Sequence, residues 1–240
     1  MPNPEYRIGV IRPVDIYKEA FAIMKDEFWL LFAVTLVGFL IAGIVPLILL
    51  GPMFCGIYMC MLDKADGRRV AFDRLFKGFG FFLPGLIVSL LIVVPIIALF
   101  LTVYIPLIAM AFAGPRMSEA EVWSFVVGTL ALEIVLGVVM TVLHSFLIFA
   151  FPLIVDRGLN GFEAVRLSAR AAWANRGGVA ALYGVTFLVT IAGYLAFCVG
   201  VYLAMPIIMM AMAVAYRKVF PSLETARFEP PPPGAYQGLK

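Results

Sequence analysis

Long apolar runs alternate with short mixed-charge segments along this chain, and the alternation predicts its elements. The apolar stretches occupy 28–62, 81–114, 122–155 and 179–216. A bilayer core of about 30 Å is crossed by roughly 20 apolar residues in a helix, so the first and last stretches can each hold two spans. In the first, Pro46 and the breaker pair Gly51-Pro52 predict a span ending near residue 46, a tight turn, and a second span to Leu62. In the last, Gly193, Gly200 and Pro206 predict a split near 198–201. The middle stretches each predict a single over-long helix or a helix with a bent end, and the prolines at 84, 95 and 106 predict kinks in 81–114. Six spans result.

The mixed segments are patterned too. In 13–27, Val14, Tyr17, Phe21, Met24 and Phe28 keep the spacing of one helix face, and Pro13 suits a first helical position. In 70–79, Val70, Phe72, Leu75, Phe76 and Phe79 stand among Asp73, Arg74 and Lys77. In 160–175, Phe162, Val165, Ala169, Ala172 and Trp173 form a stripe opposite Glu163, Arg166 and Arg170, with Glu163 and Arg166 spaced for a weak ion pair. Each segment predicts an amphipathic helix lying in the membrane interface. The expected fold is therefore all-α and polytopic. Six transmembrane helices form three hairpins, each preceded by a cytoplasmic interfacial helix. The expected organisation is an N-terminal segment 1–27, a transmembrane domain 28–220 and a proline-rich tail 221–240.

Charge orients the spans. Seventeen of the eighteen basic residues lie in 1–27, 63–80, 156–178 and the region after 216, which six spans place on one side; only Arg116 remains for the other. Lys and Arg in short loops mark the cytoplasmic face, so both termini are expected there. Composition agrees: 63% of residues are hydrophobic and 14% charged, against roughly 45–50% and about 25% in soluble domains. Mean hydropathy is +1.03. The net charge of +3 gives no reason to expect nucleic acid as a partner. The first apolar run follows a long segment bearing both signs of charge, so no cleavable signal is expected. Cys55, Cys60 and Cys198 all sit in apolar runs without a CxxC spacing and read as small core residues.

Chemistry narrows to a few positions. Glu133 and the only histidine, His144, are eleven residues apart, about 16 Å along a helix and on one face. Gly137 and Thr141 lie between them. An ionised Glu facing lipid costs several kcal/mol, so this face is either a polar path for a proton, ion or headgroup, or a set of locally satisfied buried groups. Gly51, Pro52, Gly56 and Tyr58 in the second span, and Pro206 in the sixth, are either a broken-helix binding site or a packing device. Arg68, Arg69, Arg74, Asp156, Arg157, Arg166 and Arg170 form a candidate cytoplasmic interface. For Asp156 with Glu163 the alternatives are a metal or amine site and a simple helix-end turn through Gly158 and Asn160-Gly161. The tail, FEPPPPGAYQGLK, is an extended end or a ligand for a partner. HExxH, GxSxG, P-loop and GxGxxG signatures are absent from the sequence, so neither enzymatic activity nor a cofactor or metal is expected.

Four stretches carry a family resemblance: GPMFCGIY at 51–58, DRLFKGF at 73–79, PLIVDRGLNGFEAVRLSARAAW at 152–173 and CVGVYLAMPIIMMAMAVAYRKVF at 198–220. Together they resemble uncharacterised bacterial six-span inner-membrane proteins and the membrane domain attached to some glycerophosphoryl diester phosphodiesterases. The resemblance implies a six-helix fold in the bacterial inner membrane and supplies no catalytic residue; the proline-rich tail departs from the family pattern. The expected function is a structural or accessory subunit that packs against membrane lipids and other membrane proteins, or self-associates. The alternative is a small transporter or lipid-handling protein using the polar face of the fourth span.

Overall fold

The computed structural model describes residues 6–113, 117–196 and 199–222. Arg116, Cys198 and residues 223–240, which hold most of the proline-rich tail, lie outside the described residues. Among the described residues all regular structure is helical: α1 (Pro13–Met24), α2 (Phe28–Ile44), α3 (Pro46–Ala65), α4 (Phe82–Ala113), α5 (Glu119–Ser145), α6 (Ala150–Arg157), α7 (Gly161–Ala174), α8 (Arg176–Leu195) and α9 (Val199–Val219), with 3₁₀ segments at Lys25–Glu27 and Phe72–Phe81. Six of the helical stretches are long and apolar enough to cross a membrane. The chain is a multi-pass integral membrane protein.

Local signals account for most boundaries. Pro46 opens α3, where its missing N–H costs nothing. Ser118 and Glu121 form a capping box at the start of α5, and Asn160 and Glu163 form another at the start of α7. Gly158 closes α6 at φ +64°, a left-handed cap that glycine adopts without penalty. The stretch 122–155 is thus the bent-end case: α5 stops at Ser145 and α6 resumes at Ala150. The bend is held by Ser168 of α7, whose hydroxyl accepts from the Phe149 N–H at 3.0 Å and donates to the Phe146 carbonyl at 2.7 Å.

Gly51-Pro52 is not a break. Both residues lie inside a continuous α3, and the turn between α2 and α3 is at Val45. The glycine instead permits close approach: a Cβ at Gly51 would fall on the backbone carbonyl of Gly85 at the start of α4. Likewise a Cβ at Gly56 would collide with the Leu75 carbonyl, and one at Gly78 with that of Pro52. The 3₁₀ segment therefore lies backbone to backbone on α3. Pro206 similarly lies within α9 and is buried.

Helix α3 is the hub, in contact with α2, α4, α6, α9 and the 3₁₀ segment. It and α9 supply much of the core, including Met53, Ile57, Met61, Met210, Tyr216 and Val219. Consecutive long helices pack together, α2 on α3, α4 on α5 and α8 on α9. In the mixed segments the buried faces differ from the apolar stripes read in the sequence. Helix α1 buries Ile16, Ala20 and Met24 while Val14 and Phe21 are exposed. Helix α7 buries Gly161, Ala164, Ser168, Ala171 and Ala172, and Phe162 and Trp173 point outward. Small residues let these helices lie close on the bundle, and their large apolar residues face away from it.

Candidate functional site

Three constellations of polar side chains stand out. The first is an ion network where α3, α6 and α9 end together. Arg217 of α9 donates from Nε and Nη2 to the two carboxylate oxygens of Asp66, each at 2.8 Å. Its Nη1 lies 2.7 Å from Oδ1 of Asp156. Tyr216 donates to the other oxygen of Asp156 at 2.6 Å. Arg157 approaches that same oxygen at 3.2 Å and donates to the Pro221 carbonyl at 2.8 Å. On the far side, Arg68 bridges Asp66 at 2.9 Å and Asp63 at 2.8 Å, and Arg74 also pairs with Asp63. Arg217, Asp66 and Asp156 have side chains only 13–14% exposed, so each charge is compensated almost wholly inside the protein. Two peripheral pairs, Lys64–Glu27 at 3.0 Å and Lys218–Glu19 at 2.7 Å, link α3 and α9 to the N-terminal helices.

This network divides the arginines singled out in the sequence. Arg68, Arg74 and Arg157, with Asp156, are joints of the bundle. Arg69, Arg166 and Arg170 are exposed, and no carboxylate pairs with them among the described residues. Asp156 is bonded to Arg217 and Tyr216, whereas Glu163 is occupied by its own helix cap. Among the described residues no group of acidic, histidine and cysteine side chains is arranged to hold a metal ion.

The second constellation is the face of α5. Glu133 accepts a 2.7 Å hydrogen bond from Thr102 of α4, and Nε2 of His144 lies 3.4 Å from the Ile92 carbonyl oxygen of the same helix. Glu133, Gly137 and His144 are half-buried against α4; Thr141 is exposed and bonds its own helix at Gly137. Each polar group therefore has a separate local partner. No residue of α5 is buried, and α4 is the main helix it touches.

The third is a polar staple that sequence reading missed. Asn175, at the α7–α8 junction and 4% exposed, accepts from the Gly9 N–H at 2.8 Å and donates to the carbonyls of Arg7 at 3.1 Å and Ala171 at 3.0 Å. The N-terminal segment is thereby fixed on the bundle, and Arg7 N–H reaches the Val219 carbonyl at 2.8 Å. Tyr58, Gly51, Pro52, Gly56 and Pro206 are all buried, and Gly51 and Gly56 admit the backbones of Gly85 and Leu75. Comparison with protein families, curated proteins and solved structures finds no match for this chain.

Proposed function

We propose that the protein is a non-enzymatic structural or accessory subunit of the bacterial inner membrane, presenting the α4–α5 pair to another membrane protein. The observation that carries this reading is the isolation of α5: 27 residues long, with none buried, and attached to the bundle chiefly through α4. Its internal polar groups are already satisfied by α4. Its outer surface includes Gly128, which is exposed and next to which a Cβ would meet nothing within 4 Å. Small residues on a membrane helix allow a neighbouring helix to come close. The concentration of basic residues in the segments at the network end supports a cytoplasmic placement of that end and of both termini. There the exposed Arg69, Arg166 and Arg170 face anionic lipid or a cytoplasmic partner. On this reading the chain forms three hairpins, each led by an interfacial helix, as the alternation of apolar and mixed segments suggests. Purification in mild detergent with mass spectrometry of the co-purifying proteins tests it: a stoichiometric partner lost on Gly128→Leu supports it, and a partner-free monomer counts against it.

The transporter or lipid-handling alternative has one observation in its favour: His144 and Thr141 border a cavity of 510 Å³.

A further inference from the structure

Helices α5 and α8 meet where the Tyr183 hydroxyl donates to the His144 carbonyl at 3.4 Å, and cavities on either side of that contact are lined by one face of each helix. At the network end a cavity of 320 Å³ is bordered by Thr141, Ser145, Trp173, Arg176 and Tyr183. A second, of 510 Å³, continues from Thr141 and Tyr183 past His144 and Phe187 to Thr190. On α8 the positions 176, 180, 183, 187 and 190 follow helical spacing, so they form one stripe. Among the described residues lining the two cavities, Arg176 is the only one with a formal charge. No carboxylate pairs with it among the described residues; its guanidinium lies 5.6 Å from the centre of the Trp173 ring. The flanks of the cleft carry exposed Val142, Leu143, Phe187 and Leu188, so it opens sideways into the apolar belt.

We propose that this cleft binds one anionic phospholipid, with its phosphate at Arg176 and one acyl chain running past Tyr183 and Phe187 toward Thr190. The dimensions fit. Arg176 to Thr190 is about 21 Å of helical rise, longer than the ~15 Å depth of one leaflet's hydrocarbon. A lone cation stacked on an aromatic ring at the charged end suits a headgroup, with apolar walls beyond it. A soluble phosphate would leave those walls unused. The site stands independently of the accessory reading.

The test is native mass spectrometry of the full chain, released from nanodiscs of equal parts phosphatidylethanolamine and phosphatidylglycerol. The wild type is expected to retain one phosphatidylglycerol. Arg176→Gln is expected to lower the preference for phosphatidylglycerol about fivefold, and Lys77→Gln, on the 3₁₀ segment outside the cleft, to leave it unchanged. Gly184→Phe and Thr141→Phe plug the gap from facing helices. A Cβ at Gly184 meets nothing within 4 Å, so that variant should keep the wild-type melting temperature while losing the lipid. Retention that survives both plugs, or a preference lowered equally by Lys77→Gln, overturns the proposal. So does a polypeptide found cross-linked within the cleft.

Discussion

Arg217 grips Asp66 through two parallel 2.8 Å hydrogen bonds, although the two residues are 151 positions apart in the chain. Its third nitrogen reaches Asp156, so one guanidinium ties the ends of α3, α6 and α9 together. Removing one partner of a buried ion pair leaves the others uncompensated, which costs about 3–5 kcal/mol. Arg217→Ala should therefore lower the melting temperature in detergent by many degrees. Arg217→Lys should recover only part of the loss, because an ammonium cannot make the two-pronged contact. Arg68, with a side chain 51% exposed, should cost under about 1 kcal/mol when changed to Ala.

The backbone contact between α3 and the 3₁₀ segment makes glycine indispensable at two positions. Gly56→Val and Gly78→Ala each place a side-chain carbon on a facing carbonyl. Overpacking costs typically 1–3 kcal/mol and more when only backbone can yield. Both variants should express poorly or elute as aggregates in size-exclusion chromatography, whereas Gly137→Ala should be indistinguishable from wild type.

Glu133 and Thr102 form a single bond between α4 and α5. Thr102→Val should cost about 1 kcal/mol, read as a small drop in melting temperature. Glu133→Gln keeps an acceptor for the Thr102 hydroxyl and should be nearly neutral. If Glu133→Gln or His144→Ala abolishes a proton-coupled uptake measured in vesicles, the transporter alternative replaces the accessory one.

Asn175→Ala strips partners from the Gly9 N–H and the Arg7 carbonyl, at about 1–3 kcal/mol for a group left unsatisfied. Hydrogen exchange at residues 7–11 should rise sharply while exchange in α3 stays slow. Equal acceleration in both would mean that the N-terminal segment is not a separable part of the fold.

Span number and most breaks were legible because lipid imposes them: a run long enough for two crossings needs a turn, Pro46 marks the first, and α8 ends at Leu195 and α9 begins at Val199, close to the split expected near 198–201. The role of Gly51-Pro52 was not legible. A Gly-Pro pair reads the same whether it ends a helix or lets another backbone approach, and only Gly85 decides between them. The bundle-facing sides of α1 and α7 were not legible for a related reason. In a membrane protein large apolar side chains suit the outside, so Phe21, Phe162 and Trp173 face away while alanines and a serine pack inward. The ion network was invisible because its partners come from three distant segments. Asp156 and Arg157 looked like interface charges until Arg217 and Tyr216 were placed beside them.

The central claim is that α5 is a docking arm and not merely a lipid-facing helix. In-cell photocrosslinking from single photoreactive residues tests it most directly. Ile134 and Val138 on α5 are 68% and 60% exposed, and Leu40 on α2, at 63%, serves as a lipid-facing reference. The account predicts a discrete protein adduct from Ile134 or Val138 and none from Leu40. Lipid adducts alone from all three positions would contradict it.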